Sequence, residues 1–480
     1  MPLSLEELRG KTVLLDFWTY GCINCIHIIP GLKKLEAKYK NELVVIGVHS
    51  GKFINECETE NIRRIILRYE IEHPVVNDAG FNIWNSYHVE AYPTQVLIDP
   101  KGQIVVKTEG ERQFGQLDEK IGEIVTTFRA NGKLSEKPLN FVPEKDKFSD
   151  SSLLFPGKVL ADAQSNRLFI SDSDHNRIVV TTLDGGALLQ IIGSGKTARN
   201  DGDFSVAAFN RPQGLSLDHN FLYVADTAND LIRRVDLTAK KVETVAGTGA
   251  QVYQAQTGGA ALENRLNSPW DLQIIGKQLY IAMAGNHQIW RMDLAENTIA
   301  PLAGSGREER TDGGHAKCSF AQPSGLAFEG KILYVADAES NIVRAIDLTA
   351  KTVETLAGGN LYEFGDIDGS GNEARLQHPL GVAVWGKNIL LADTYNHRIK
   401  ILNPTARTVR SLAGDGKYGN ADGKHARFYE PGGLSVAGDK LYVADTNNHL
   451  IRVVDLMTKQ VSTLKINDLQ APNSDKASRN

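Results

Sequence analysis

Short apolar runs alternate with segments of helical spacing in the first part of the chain. The run Thr12–Trp18 is largely apolar, β-branched and aromatic, which predicts a buried strand. From Cys22 to Tyr39, apolar residues recur every three or four positions, as in an amphipathic helix. The alternation continues with predicted strands at 43–48, 74–78 and 94–99 and predicted helices at 61–69 and 81–87. Strands alternating with helices predict an α/β domain over residues 1–132.

A repeat replaces this pattern from residue 151 onward. Each copy opens on Pro-x-Gly-Leu or a variant, as at Pro212–Leu215, and continues through Leu-Tyr-Val-Ala-Asp-Thr. One marker position recurs every 52 to 57 residues, at Asp172, Asp226, Met283, Asp337, Asp393 and Asp445. Six copies with four short apolar runs each predict an all-β six-bladed propeller over 151–466. Residues 133–150 lose periodicity and are predicted to be a linker, and 467–480 a polar tail.

Length, net charge and hydropathy indicate how many domains and which kinds of partner to expect. The chain has 480 residues, enough for more than one domain, and a formal net charge of −5. Neither part carries the basic excess that binding to nucleic acid requires, so an RNA-binding propeller is not favoured. No run of about 18 apolar residues and no signal-type N-terminus occurs, so we expect no membrane partner and a cytoplasmic protein.

Four cysteines supply the candidate chemistry. Cys22 and Cys25 lie three positions apart, whereas Cys57 and Cys318 stand alone and are predicted to be inert packing thiols. Cys22 begins a predicted helix, where unpaired amide hydrogens and the helix dipole favour a thiolate. Cys25 lies one turn further on, placed to attack a mixed disulfide formed by Cys22. The pair therefore predicts redox or metal chemistry in a reducing compartment.

The order of elements and the residues around the pair resemble thioredoxins, especially their TlpA-like branch. By this resemblance, Asp16 is the buried acid that assists removal of the proton from Cys25. Trp18 matches an aromatic residue of the active-site approach, and Tyr92-Pro93 a segment with a cis peptide bond that binds substrate. The resemblance therefore implies three catalytic residues and three substrate-binding residues.

Some positions depart from the thioredoxin pattern. Gly21 replaces a large aromatic residue before the first cysteine, and Ile23-Asn24 separates the two thiols. These intervening residues tune the redox potential of such a pair. The sequence therefore leaves open the direction and strength of the redox activity.

The repeats resemble NHL repeats, and the whole chain is similar to proteins that join a thioredoxin-like domain to a six-bladed NHL propeller. Such propellers generally offer a face for protein or RNA partners. The third copy departs from the others, because Met283 and Trp290 stand where most copies have an aspartate and a basic residue. Two interpretations follow: an exposed partner-binding pair, or side chains packed between blades.

Two functions from different classes fit these observations. One is a thiol-disulfide oxidoreductase that acts on protein disulfides, with protein clients, a reducing partner and the propeller as a binding platform. The other is an interaction scaffold whose thioredoxin fold is redox-silent. Half of a zinc site with His27 is a weaker alternative, because no second cysteine or histidine pair accompanies it. We expect neither a cofactor nor a metal.

Overall fold

The computed structural model describes residues 4, 6–139, 141–147, 151–251, 257–360 and 362–472. The chain divides into two compact units, Met1–Ser149 and Asp150–Asn480. Among the described residues, no helix is both long and apolar enough to cross a membrane.

The first unit is a five-stranded sheet with helices on both faces. Its elements are β1 (Thr12–Trp18), α1 (Ile23–Lys38), β2 (Leu43–His49), α2 (Thr59–Arg68), β3 (Val75–Asn77), α3 (Asn82–Ser86), β4 (Thr94–Ile98), β5 (Ile104–Glu109) and α4 (Phe114–Ala130). The strand order is β3-β2-β1-β4-β5, with β1, β2 and β3 parallel and β4 and β5 antiparallel to their neighbours. The predicted α/β fold is confirmed.

β1 is central, and every one of its residues is buried because both faces of the sheet are covered. On one face Leu14 packs with residues of α1 and α4, including Leu35 and Ile121. On the other face Phe17 packs beside α3 and contacts Trp84 edge-on. A strand buried on both faces needs the continuous apolar run seen in the sequence.

The segment after α4 packs on the first unit. The amide of Ser135 donates to the carbonyl of Gly10 over 2.7 Å, and the ammonium of Lys11 donates to the carbonyl of Lys137 over 2.6 Å. The predicted linker is therefore held against the α/β core at Ser135 and Lys137.

The second unit consists of six antiparallel sheets. Blade 1 contains β6 (Val159–Asp162), β7 (Arg167–Asp172), β8 (Arg177–Thr181) and β9 (Leu188–Ile192). Blade 2 contains β10 (Gly202–Asp203), β11 (Pro212–Asp218), β12 (Phe221–Asp226), β13 (Leu231–Asp236) and β14 (Lys241–Ala246). Blade 3 contains β15 (Gly259–Ala260), β16 (Pro269–Ile275), β17 (Gln278–Met283), β18 (Gln288–Asp293) and β19 (Thr298–Ala303).

The remaining blades repeat this arrangement. Blade 4 contains β20 (Gly313–Gly314), β21 (Pro323–Glu329), β22 (Ile332–Asp337), β23 (Ile342–Asp347) and β24 (Thr352–Ala357). Blade 5 contains β25 (Gly369–Ser370), β26 (Gly381–Trp385), β27 (Asn388–Asp393), β28 (Arg398–Asn403) and β29 (Thr408–Ala413). Blade 6 contains β30 (Pro431–Ala437), β31 (Lys440–Asp445), β32 (Leu450–Asp455) and β33 (Val461–Thr463). The predicted six-bladed propeller is confirmed.

One hydrogen bond recurs at all six junctions between blades. In each blade, a residue with positive φ follows the strand that ends at the marker position, and its side chain accepts a backbone N–H from the next blade. The acceptors are Asn176, Asp230, His287, Asn341, His397 and His449. The last of them bonds the amide of Phe155 over 3.0 Å and so closes the ring from blade 6 to blade 1.

The beginning of the predicted polar tail packs on blade 1. The amide of Asn467 donates to the carbonyl of Gly185, and Leu469 is buried in the apolar cluster of that blade. The guanidinium of Arg177 donates to the carbonyl of Gln470 over 3.0 Å. The first residues of the predicted polar tail are therefore packed on blade 1, and residues 473–480 lie outside the described part of the chain.

The interpretation of Met283 and Trp290 as an exposed partner-binding pair was wrong. Both side chains are fully buried in the core that blade 3 shares with blade 2, so they cannot present a binding surface. Four other blades place a buried ion pair here: Asp226–Arg233, Asp337–Arg344, Asp393–Lys400 and Asp445–Arg452. In blade 3 the Met283 sulfur accepts the N–H of Asn267, a bond that the aspartate accepts elsewhere. An apolar pair has replaced an ion pair.

A second exception to the repeat lies at the propeller axis. The third position of the Pro-x-Gly motif is glycine in four blades but Lys158 in blade 1 and Asp271 in blade 3. The Lys158 ammonium donates to the Asp271 carboxylate over 3.1 Å and to the carbonyls of Ser324 and Leu380, each over 2.7 Å. The pair borders a central cavity of about 180 Å³ lined by the first long strand of every blade. Burial lowers the pKa of Lys158, although Asp271 opposes this.

This axial pair yields a stability prediction. Lys158→Met leaves the buried Asp271 carboxylate without its cation, which should destabilise the propeller by about 3–5 kcal/mol. Adding Asp271→Asn to that variant should recover part of the loss, as measured by urea unfolding. Lys277→Met, at an exposed lysine of blade 3, should be near neutral; equal stability of Lys158→Met and wild type would refute the assignment.

Candidate redox site

The two cysteines of the pair lie at the start of α1. Cys22 is the N-cap residue, with extended backbone angles, and its carbonyl accepts the amides of Cys25 and Ile26. Cys22 is 5% exposed and Cys25 is fully buried. Burial, and then a hydrogen bond and charge from Cys22, raise the pKa of the Cys25 thiol well above its usual value. The thiols are therefore in contact but unequal: Cys22 keeps a small exposed fraction, whereas Cys25 has none.

Asp16 lies on β1 behind the pair and is almost fully buried. Its carboxylate accepts a hydrogen bond from the Gln95 amide on β4 over 3.2 Å. Burial raises the pKa of Asp16 to about 6, while the Gln95 bond and the neighbouring His73 oppose the rise. Asp16 adds to the upward pKa shift of Cys25, so the structure brings the predicted acid and the second thiol together.

The segment before β4 forms a third side of the site. The Tyr92–Pro93 peptide bond is cis, as the sequence predicts, and Pro93 is buried. The Tyr92 hydroxyl donates to the carbonyl of Ser50 over 2.5 Å. Burial raises the pKa of Tyr92, with further contributions from Glu56, Cys25 and Cys22, which oppose a second negative charge nearby. Tyr92 therefore lies beside both thiols.

Trp18 does not have the role that the sequence predicts. Its side chain is 1% exposed, and its indole lies edge-on to the imidazole of His49, with ring centroids 5.0 Å apart. A side chain at this depth cannot contact a bound protein segment. Trp18 is a core residue beneath the site because β1 is covered on both faces.

Two buried residues at the site, Glu56 and His49, were not predicted from the sequence. Glu56 accepts hydrogen bonds from the Gly21 amide over 2.8 Å and from the Thr19 hydroxyl over 2.5 Å. His49 accepts the amide of Tyr20 and stacks on the Tyr20 ring; burial lowers its pKa to about 3, so it is neutral. Each lies about 30 residues from its partners in sequence, and no motif marks either of them.

The remaining candidate residues are His27 and the two single cysteines. His27 pairs with Glu111, with Nδ1 and Oε2 2.6 Å apart. Cys57 is partly buried with its sulfur near the carbonyl of Phe53, and Cys318 is fully buried in the propeller. Within the described ranges, no three or more His, Cys, Asp or Glu residues are grouped so that they could hold a metal ion.

Comparisons with known proteins agree with this architecture. The thioredoxin-like family matches residues 10–104, NHL repeats match residues 376–402 and 428–454, and an LVIVD repeat matches residues 212–232. NHL repeat-containing protein 2 of Gallus gallus is 43% identical over 97% of this chain and 69% of its own length. The chain belongs to the family of NHL repeat-containing protein 2.

Other relatives match the whole chain or its first unit. Protein SUPPRESSOR OF QUENCHING 1, chloroplastic, of Arabidopsis thaliana is 44% identical over 98% of this chain, which spans about half (47%) of that relative. Thiol-disulfide oxidoreductase ResA of Halalkalibacterium halodurans is 35% identical over 26% of this chain and 67% of its own length. The first unit of this family member therefore has a redox-type fold.

Asp16 offers a test of the site's electrostatics. Its pKa rises from 3.8 to about 6 on folding, so its ionisation makes the protein less stable as the pH rises through that range. Asp16→Asn should therefore be more stable than wild type at pH 7.5, by up to about 3 kcal/mol. The difference, measured by urea unfolding, should vanish below pH 4.

The control is Asp118→Asn, which removes a surface carboxylate paired with Lys38. This change should alter stability by less than about 1 kcal/mol. A lower stability of Asp16→Asn at neutral pH would contradict the burial of a charged carboxylate behind the thiols.

Proposed function

We propose that this protein is a thiol-disulfide oxidoreductase acting on protein disulfides. The observation that carries the proposal is the contact between the Cys22 and Cys25 thiols at the N-terminus of α1, beside Tyr92 and the cis Pro93. The helix N-terminus favours a sulfur anion, and the neighbouring segment offers backbone for an extended client. The ResA-like relatives of the first unit add support.

The chemistry takes two exchanges. The Cys22 thiolate attacks one sulfur of a client disulfide, forming a mixed disulfide and expelling the other client sulfur as a thiolate, which takes a proton. Cys25 then attacks the Cys22 sulfur and the second client thiolate leaves. Two electrons pass to the client, and the protein is left with a Cys22–Cys25 disulfide.

Asp16 serves the second exchange. Cys25 is a thiol over a wide pH range because burial raises its pKa, so it must lose a proton before it attacks. Asp16 is a carboxylate above about pH 6 and accepts that proton. Resolution of the mixed disulfide should therefore slow as the pH falls through 6.

Continued turnover requires a reducing partner that returns the Cys22–Cys25 disulfide to the dithiol. We propose the cytoplasm as the compartment, because cysteine usage is that of a reducing environment. In the structure, all four cysteines are free thiols.

Cysteine variants test the catalytic proposal. Cys22→Ser should lower the rate of insulin disulfide reduction roughly a hundredfold, because it removes the nucleophile. Cys25→Ser should accumulate a mixed disulfide between Cys22 and the client, detected by mass spectrometry. Cys57→Ser is the matched control and should retain the wild-type rate. If Cys22→Ser reduced insulin as fast as wild type, the redox-silent scaffold would be the better description.

We further propose that the propeller binds the client. Support comes from exposed aromatic and aliphatic side chains on the connections that lead into blades 5 and 6. Tyr362 is 86% exposed and Ile367 54%; Tyr418 is half exposed and stacks on Tyr429. Exposed tyrosines are enriched where proteins bind other proteins.

The client-binding role is tested in the full chain. In a Cys25→Ser background, Tyr362→Ala and Tyr418→Ala should each lower the yield of trapped cellular clients about fivefold, the effect of ~1 kcal/mol of binding energy. Met457→Ala, at an exposed residue of blade 6, is the control. Unchanged trapping by both tyrosine variants would refute the role of this surface.

A further inference from the structure

We propose that Glu56 is a positioning residue of the redox site: it fixes the peptide in front of Cys22, and its charge lowers the reduction potential of the dithiol. This inference rests on the proposed oxidoreductase function. Glu56 lies in a 3-10 turn, Asn55–Cys57, that follows β2, and its side chain is completely buried.

The Glu56 carboxylate joins two loops beside the dithiol. Its Oε1 accepts the Gly21 amide over 2.8 Å, and Gly21 immediately precedes Cys22. Its Oε2 accepts the Thr19 hydroxyl over 2.5 Å and the Lys52 amide over 2.7 Å. A carboxylate with several N–H and O–H donors is held as an anion in a defined orientation. The backbone that leads into the nucleophile is therefore fixed by a residue 35 positions away.

The turn that carries Glu56 is itself rigidly held. The Asn61 side-chain amide on α2 donates to both the carbonyl and the side-chain oxygen of Asn55, over 2.7 and 2.6 Å. The Asn55 amide in turn donates to the Tyr20 hydroxyl over 3.1 Å. Tyr20 precedes Gly21, so this second bond ties the turn to the same loop. The bonds of Asn55 to Asn61 and to Tyr20 therefore hold the Glu56 carboxylate in place.

The Glu56 carboxylate lies close to the reacting sulfur atoms, because it accepts the amide of Gly21, the residue that immediately precedes Cys22. Glu56 and both cysteines also contribute to the raised pKa of Tyr92, which places the carboxylate and the thiols around the same phenol. A buried anion this near disfavours a thiolate at Cys22 and hence the reduced state, in which that thiolate forms. A less stable reduced state means a more negative reduction potential. The helix N-terminus and Glu56 therefore act on the nucleophile with opposite sign.

Glu56→Gln tests the charge, because glutamine keeps the size and one carbonyl oxygen. The exchange measured is protein disulfide plus two glutathione against protein dithiol plus glutathione disulfide. The equilibrium should shift about tenfold toward the dithiol, a rise of about 30 mV in potential. The pH midpoint for alkylation of Cys22 should also move downward, because the thiolate is opposed less. Glu58→Gln, at an exposed residue two positions away, should change neither quantity.

Glu56→Asp tests the positioning, because aspartate keeps the charge but cannot span the same bonds. Its glutathione equilibrium should stay within about twofold of wild type while insulin reduction falls about tenfold, the cost of a misplaced nucleophile. Wild-type potential and alkylation profile in a folded Glu56→Gln protein would overturn the electrostatic role. A wild-type insulin rate in Glu56→Asp would overturn the positioning role, and this variant decides the matter if Glu56→Gln fails to fold.

These measurements separate the Glu56 inference from the proposed function. Equilibrium with glutathione and alkylation of Cys22 need no client protein and no turnover. If the Cys22 variants showed no catalysis, a shifted equilibrium in Glu56→Gln would still establish the effect on the dithiol. If catalysis were present but Glu56→Gln matched wild type in both quantities, only the Glu56 inference would fail.

Discussion

Burial of charged side chains is the constraint on which both units of this protein depend. A carboxylate or ammonium removed from water is tolerated only where the fold supplies donors, acceptors or a counter-charge. Four blades meet this requirement with an aspartate and a basic residue inside the same sheet. The thioredoxin-like unit meets it at Glu56 with backbone amides from two loops. In each case the buried charge fixes the segments that surround it.

The exceptions to the propeller repeat follow the same constraint. In blade 3 the acid and the base are replaced together, so no charge is left buried alone beside Met283 and Trp290. At the axis the opposite occurs: Lys158 and Asp271, on different blades, supply opposite charges that bond each other, and Lys158 also bonds two backbone carbonyls. Residues that depart from the repeat consensus thus contact each other. Met283 and Trp290 lie on neighbouring strands of one blade, and Lys158 and Asp271 meet at the propeller axis.

At the redox site the same physics creates an asymmetry between the two thiols. Cys25 is wholly buried beside Asp16, and burial raises the pKa of its thiol, whereas Cys22 keeps a small exposed fraction and lies at the N-terminus of α1. The cis segment at Pro93 and the loop after β2 are joined beside the pair by the bond between Tyr92 and Ser50. In the proposed mechanism, attack by Cys22 and resolution by Cys25 therefore take place in different environments.

The secondary-structure elements and much of the site could be predicted from the amino-acid sequence. The apolar run of β1, the helical spacing after Cys22, the cysteine pair and the sixfold repeat are local patterns, and each one appears in the structure. Asp16 and the cis Tyr92–Pro93 bond were predicted from the resemblance to thioredoxins. Three features became evident only from the folded chain: the burial of Trp18, Met283 and Trp290, the bond from the Gly21 amide to Glu56, and the pairing of Lys158 with Asp271, 113 positions away. Burial and long-range pairing depend on which elements the fold brings together. The periodicity of one sequence predicts the elements but not the contacts between distant ones.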